Sequence, residues 1–296
     1  MRMQYGFFLI VMIPGITRAQ LTVTADKVGD RIEVRVDGVL LTNYILSEHE
    51  KYPYFFPVNG PSGASVTSMR NGNYPHHSSL FFGCDRVNGG NYWQEGQERG
   101  QILPVGADIL ESGGDRVVIE NENIWRRPTA AAPIRDIRTI TVTAPSKDLF
   151  QIDFRIVMEM LEDVTIEKTN HSLFSIRMDP DLAVINNGTM VNAEGDIGEK
   201  STFGKRSPWM DYHGSRMGRI EGIAILQHPS SEWYPSPWFT RDYGFFSPTP
   251  MYWPDNREDL MLKKGRQVEL RYRVLIHSGD HIQAAIADQF EQYRNE

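Results

Sequence analysis

The 296-residue chain has a single cysteine, Cys84, so it cannot form an internal disulfide and must be held by its core alone. Past its first twenty residues it has no apolar run near the ~20 residues needed to span a bilayer, which excludes a helical membrane protein. Positive charge is also in short supply. Lys and Arg number 31 against 38 Asp and Glu, a net charge of −7 that speaks against nucleic acid or an anionic lipid surface as partner. Several catalytic and nucleotide signatures are missing as well: G-x-S-x-G, H-E-x-x-H, the P-loop, and G-x-G-x-x-G after a strand. There is no internal repeat, no low-complexity tract, and no linker rich in Pro, Gly and Ser to divide the chain.

What is there begins with an address. Arg2 precedes an apolar run from Phe7 to Ile13, and Thr17-Arg18-Ala19 places small residues where a signal peptidase reads. A buried first strand fits these residues less well, because a basic residue stands before the run. The expectation is a signal peptide at 1–19, export to the periplasm or beyond, and a single domain over 20–296. Removing Arg2 and Arg18 makes the exported part more acidic still.

From Leu21 onward, short alternating runs are separated by turn residues: LTVTADKV, Gly29-Asp30, RIEVRVDG, VLLTNYIL. Similar runs follow at RVVIENENI, IRTITVTA, LFQIDFRIVMEML, TIEKT, LFSIRM, IEGIAILQH and VELRYRVLIH. A period of two with many Val, Ile and Thr predicts half-buried strands joined as hairpins. Gly113-Gly114-Asp115 and Ser146-Lys147-Asp148 predict tight connections. Only the C-terminus looks helical: after Gly279-Asp280, the residues Ile282, Ala285, Ile286 and Phe290 recur at near-helical spacing, and Asp280 is placed to cap. The predicted class is all-β with a C-terminal helix.

Two stretches break the alternation, 52–106 and 204–254, and both mix aromatic residues, Pro, His and Gly. Long irregular segments in a compact domain are functional or disordered, and this many aromatics argue against disorder. In the first, His76-His77 precedes Leu80-Phe81-Phe82. Two adjacent strand residues face opposite ways, so only one of the pair can face a given cleft. Three roles compete for them: general acid or base, donor to a polar ligand, or ligand of a divalent metal together with a distant His228. A lone histidine is more often satisfied by a backbone carbonyl, but the doublet stands beside Asp85, Asn88, Trp93 and Glu95. Acceptors, an amide and an aromatic face are the mixture that sugar hydroxyls and the apolar face of a pyranose need. The plainer account of Asn88-Gly89 is a hairpin turn.

In the second stretch His228-Pro229 ends an apolar strand, and Trp238, Arg241, Asp242 and Tyr243 follow. Arg241 offers a planar fork to a carboxylate or hydroxyl, and Tyr243 can serve as acid, base or donor. Trp209 and Asp211 belong to the same segment. A surface Arg-Asp pair and core aromatics explain these residues equally simply. Asp85, Glu95, Asp211 and Asp242 supply carboxylates for paired-carboxylate chemistry, whose spacing a sequence does not reveal.

At this point a family resemblance emerges. PHHSSLFFGCDRVNGGNYWQEG is similar to the HHRGL-F/W-F…GDVNG-x-DFW-x-EG motif of the bacterial family often labelled PmoA-like, whose members abound in polysaccharide-degrading bacteria. NAEGDIGEKSTFGKRSPWMDYHG, GIAILQHPSSEWYPSPWFTRDYGFFSPTP and LRYRVLIHSGD resemble its later motifs, in order, over nearly the whole chain after the signal. The label implies a methane oxygenase subunit with several membrane spans, which this chain lacks. The resemblance implies instead a large antiparallel two-sheet sandwich like that of galactose mutarotases, and a setting among genes for sugar modification.

The family's motif falls on His76, His77, Asn88, Gly89, Trp93, Glu95, Trp209, Asp211, Tyr212, His228, Pro229, Trp238, Arg241 and Tyr243. Ser78 stands where the family has Arg, Cys84-Asp85-Arg86 departs from its Gly-Asp run, and a family His is replaced near Leu103-Pro104. The leading expectation is an exported enzyme acting on a sugar or keto-glycoside by proton transfer. His76 or His77 and His228 would be acid and base, Asp211 and Arg241 orienting groups, and Trp93 and Trp238 stacking platforms. The competing expectations are a non-catalytic carbohydrate-binding protein and a structural β domain. No cofactor is specified, though a divalent metal is compatible with the histidines.

Overall fold

A computed structural model describes residues 20–252 and 258–296. The predicted signal segment, 1–19, and Trp253-Pro254 lie outside them. Two eight-stranded antiparallel sheets pack face to face. The first runs Val23–Val28, Arg31–Val36, Val39–Ile45, Tyr54–Val58, Leu80–Cys84, Ser172–Arg177, Phe245–Pro248, Trp238–Arg241 from edge to edge. The second runs Thr189–Asn192, Trp209–Arg216, Arg219–Gln227, Gln267–Ser278, Leu149–Met160, Ile134–Ser146, Arg116–Arg126, Gln101–Glu111. This is the predicted all-β two-sheet sandwich with a helix near the C-terminus. Among the described residues no helix is long and apolar enough to cross a membrane.

The alternating runs form strands as their period requires. Ile134, Asp136, Arg138, Ile140 and Val142 turn inward along one strand while their neighbours are half-exposed. The tight connections also form, and the Ser146 to Leu149 link joins two long strands in antiparallel register. Between the sheets, rings meet across the sandwich: Phe174 stacks on Tyr272 at 4.5 Å, Phe82 meets Trp125 edge-on at 6.2 Å, and Phe246 meets Tyr212 at 5.6 Å.

The two stretches without alternation are not irregular throughout. They contain Tyr54–Val58, Leu80–Cys84, Trp209–Arg216, Trp238–Arg241 and Phe245–Pro248. Every residue of Leu80–Cys84 and of Phe245–Pro248 is buried. A strand covered on both faces has no polar side, so its sequence loses the period of two that marks a half-buried strand. The cover over the first sheet's outer face is what creates the site described next.

The C-terminal helix is shorter than predicted, spanning Ile286–Tyr293. Asp280 does cap a turn, accepting from the backbone N–H groups of Ile282 and Gln283 at 3.0 and 2.8 Å. Ala285 then takes a left-handed conformation, φ +52°, which breaks the helical path and leaves Ile282 exposed. Ile286, Phe290 and Tyr293 pack on the outer face of the second sheet against Trp209, Leu226 and Leu275.

Candidate functional site

The short strand Tyr74–Ser78 lies over the outer face of the first sheet and carries the histidine doublet. Its two imidazoles diverge as alternation requires. His76 is half-buried at the wall of an open cleft of about 560 Å3, and Tyr52 Oη fixes its strand by donating to the His76 carbonyl at 2.7 Å. His77 is 3% exposed and lies between rings, 4.4 Å from Phe245 and 5.1 Å from Tyr74. The doublet is still in contact, with ring centroids 4.4 Å apart.

A third imidazole joins them from a segment that sequence reasoning passed over. His171, just before the strand Ser172–Arg177, lies 6.1 Å from His76 and 5.6 Å from Trp93, ring to ring. Its Nδ1 is 3.0 Å from Asp85 Oδ2. An ionised carboxylate only accepts, so Nδ1 carries the proton and Nε2 is left as the ring's free nitrogen. Asp85 itself is buried, with its second oxygen unpartnered.

The second stretch does reach this place, through Tyr243 and Phe245. Tyr243 stacks on Tyr74 at 4.3 Å, and the Arg177 guanidinium lies over both rings, at 4.7 and 5.3 Å. Arg177 is 4% exposed, and no carboxylate among the described residues forms an ion pair with it. Unsatisfied buried polar atoms concentrate here: His77 Nδ1, Trp93 Nε1, Asp85 Oδ1, and Arg177 Nε and Nη1. Buried polar groups are almost always paired, so such a concentration marks a place where water or a ligand completes the bonding.

Electrostatics follow from the burial. Burial and the nearby His171 hold His76 below the ordinary histidine value. Burial, then His76, Arg177 and His171, carry His77 down to about 2. Burial raises Tyr243 to about 12, with Tyr74 adding to the rise. In the cleft, burial lowers Lys51 to about 8 against the pull of Glu98 and Glu95. The doublet is therefore neutral at pH 7.

Other expected site residues sit elsewhere, for identifiable reasons. Asn88, at φ +48°, forms the two-residue turn between Val87 and Gly90, and its amide latches the loop at 162–165. It is the hairpin turn, not a substrate group. Trp238 is wholly buried, with Nε1 donating to the Ser207 carbonyl at 2.8 Å, and Trp209 is roofed by the C-terminal helix. Neither offers a stacking face, and nor does Trp93, which borders the cleft but is only 1% exposed. Arg241 pairs with Glu199 at 2.9 Å, not with an Asp as the plainer account had it, and lies over Phe239 and Phe203. Glu95 does line the cleft, exposed and paired with Arg99.

His228 does not meet the doublet. It lies on the second sheet's outer face, with Nδ1 2.7 Å from Ser230 Oγ and its ring against Tyr293 and Arg271. Asp211 is also on that face, wholly buried between His213 Nδ1 at 2.5 Å and His277 Nε2 at 2.7 Å. Burial pushes the Asp211 carboxyl up, but His277 and His213 outweigh it and hold it at about 2. His281 stacks on His213 at 5.5 Å. The sandwich thus carries two imidazole clusters on different sheets, where one was expected.

Among solved structures, the chain is similar over 90% of its length to a polysaccharide lyase, at 13% identity and a TM-score of 0.33. It spans 34% of that lyase. A galactose 1-epimerase from Lactobacillus acidophilus NCFM is similar over 88% of this chain and 99% of its own, at 6% identity and a TM-score of 0.42. A GalM/aldose epimerase homologue from C. elegans is similar over 88% and 99%, at 8% identity and a TM-score of 0.33. No curated protein matches the chain. Residues 31–291, from the second strand of the first sheet to the C-terminal helix, match the Family of unknown function (DUF6807), and the chain belongs to that family.

Proposed function

We propose that the cleft beside the histidine doublet binds a carbohydrate and moves a proton on it. The observation that carries this reading is the ring-to-ring cluster of His76, His77 and His171, in which His76 lines an open cleft and His171 is oriented by Asp85. His76, held neutral, is suited to accept a proton at pH 7 and to return it as the acid, and His171, with its tautomer fixed, presents an unprotonated Nε2 as a second base. A sugar hydroxyl or the carbon beside a keto group, held between rings 6.1 Å apart, would be within reach of both. Trp93 lines the cleft but is 1% exposed, so it contributes an unpaired N–H and no stacking face, and the buried Arg177, over the Tyr74 ring, adds a cation whose field favours an oxygen that gains charge. His228, Asp211 and Arg241 have no part in it. The relationship to the PmoA-like family and the export predicted from residues 1–19 belong to this proposal, which places the reaction outside the cytoplasm.

The test is incubation with a panel of native and 3-keto glycosides, with products identified by mass spectrometry. His76→Ala and His171→Ala should each lower turnover by about 100-fold or more while leaving Tm within a few degrees. Saturable binding of a glycoside with no product from any member of the panel would instead establish a carbohydrate-binding protein. The mass of the protein recovered from a bacterial periplasm should correspond to a chain beginning at Gln20; an uncleaved, cytoplasmic product would remove export from the proposal.

A further inference from the structure

We propose that Asp211, His213 and His281 form a binding site for one divalent transition-metal ion, such as Zn2+ or Co2+, on the outer face of the second sheet. Donor atoms of the three all lie within 4.8 Å of one another. Asp211 and His213 are two positions apart on the strand Trp209–Arg216, so both side chains leave the same face. His281 comes from the turn before the C-terminal helix. One carboxylate oxygen with two imidazole nitrogens suits zinc or cobalt, and is too poor in oxygen for calcium or magnesium.

Two independent features indicate that this cluster is built for a ligand. His281 Nδ1 is buried and has no hydrogen-bond partner. Gly222, moreover, lies between His213 and His277 in the register of three adjacent strands, and a Cβ on it would fall 2.6 Å from His277 Cε1 and 2.7 Å from His213 Cβ. Only glycine lets the two imidazoles close over the middle strand. His277 then donates from Nε2 to Asp211 at 2.7 Å, holding the carboxylate from behind as an outer partner of a metal ligand does. Donors 2.0–2.2 Å from one tetrahedral ion are about 3.3–3.6 Å apart, so the most widely separated of the three draw together on binding. His281 is free to make that movement, being half-buried on an irregular turn next to exposed Ile282. The bound ion would pin the C-terminal segment to the sheet.

The experiment uses the protein without a His tag, stripped with a chelator and then titrated with Zn2+ and with Co2+. Calorimetry should give one equivalent of either ion, Co2+ should develop the intense visible bands of a tetrahedral site, and Tm should rise by several degrees. His281→Ala, a change at a half-exposed turn, should remove the bands and the Tm rise while the protein stays folded; His76→Ala should keep both. Absence of saturable binding at one equivalent, or binding unchanged in His281→Ala, overturns the proposal. Glycoside turnover is read separately, on the stripped and the loaded protein, so failure of the metal site leaves the reading of the doublet cleft standing.

Discussion

His171 Nδ1 lies 3.0 Å from Asp85 Oδ2, a contact between residues 86 positions apart that fixes the imidazole beside His76 in a single tautomer. A backbone bond reinforces it, from the Asp85 N–H to the His171 carbonyl at 3.0 Å. The pair is therefore preorganised before any ligand arrives. His171→Ala is expected to lower kcat by about 100- to 10,000-fold, the usual contribution of a positioned acid or base. Asp85→Asn keeps the shape but no longer enforces the tautomer, and should lower kcat by a smaller factor with KM nearly unchanged. Steady-state kinetics on the glycoside found by the panel would check both. Full activity in the two variants would remove His171 from the chemistry.

His77 gives a prediction about acid stability. Its ring ordinarily titrates near 6.5 and is carried to about 2 in the folded protein, chiefly by burial. Above pH 6.5 both folded and unfolded forms are neutral, and the group contributes nothing to pH dependence. Below that, the unfolded chain takes up a proton that the folded one refuses, so stability falls as pH falls, by about 1.4 kcal/mol per pH unit, until the folded pKa is reached. His77→Phe keeps a ring between Tyr74 and Phe245 but cannot titrate. Urea midpoints at pH 7 and pH 5 should show a smaller acid loss in the variant than in the parent. An equal loss in both would mean that His77 charges in the folded state.

How much of this was legible beforehand depended on where each residue's partners lie. The half-buried strands and the turn at Asn88-Gly89 were readable, because a period of two and a left-handed dipeptide are local signals. The doublet, Trp93 and Tyr243 stood out by local density of aromatic and imidazole groups. His171, His213 and His277 did not, since each is a single histidine in or beside an ordinary strand run. Strand order alone brings Asp85 to His171 and Asp211 to His277, while Asp211 and His213 meet as same-face neighbours two positions apart on one strand. Trp209 and Trp238 misled for the converse reason: a tryptophan in a polar stretch looks like a platform, and only burial by the C-terminal helix or the core distinguishes it from one.

Asn88 should matter to stability and not to binding. Its φ is +48°, and its side chain donates to Glu162 and to the Asp163 carbonyl and accepts from the Thr165 N–H. Asn88→Ala puts a Cβ residue that tolerates αL poorly at the turn and removes three bonds. A loss of about 1–3 kcal/mol in urea denaturation is expected, with the affinity for any glycoside that the parent protein binds unchanged. A change in that affinity at constant stability would return Asn88 to the site.

The strongest stability effect should come from inside the sandwich, at Asp136. The residue is wholly buried and accepts four bonds, from Asn123 Nδ2, Trp125 Nε1 and, at 2.8 and 3.3 Å, Arg138 Nε and Nη2. Arg138 is 3% exposed and lies over the Phe82 ring. Removing one partner leaves the other charge stranded in the core, so Asp136→Ala or Arg138→Ala should each lose about 3–5 kcal/mol. Replacing both by apolar residues of similar volume strands no charge and costs only the neutral bonds from Asn123 Nδ2 and Trp125 Nε1. The pair Asp136→Leu with Arg138→Met should therefore be more stable than either alanine variant, an ordering that equilibrium urea denaturation can rank. If the double variant were instead the least stable, the four bonds to Asp136 would be contributing more than the burial of the two charges takes away.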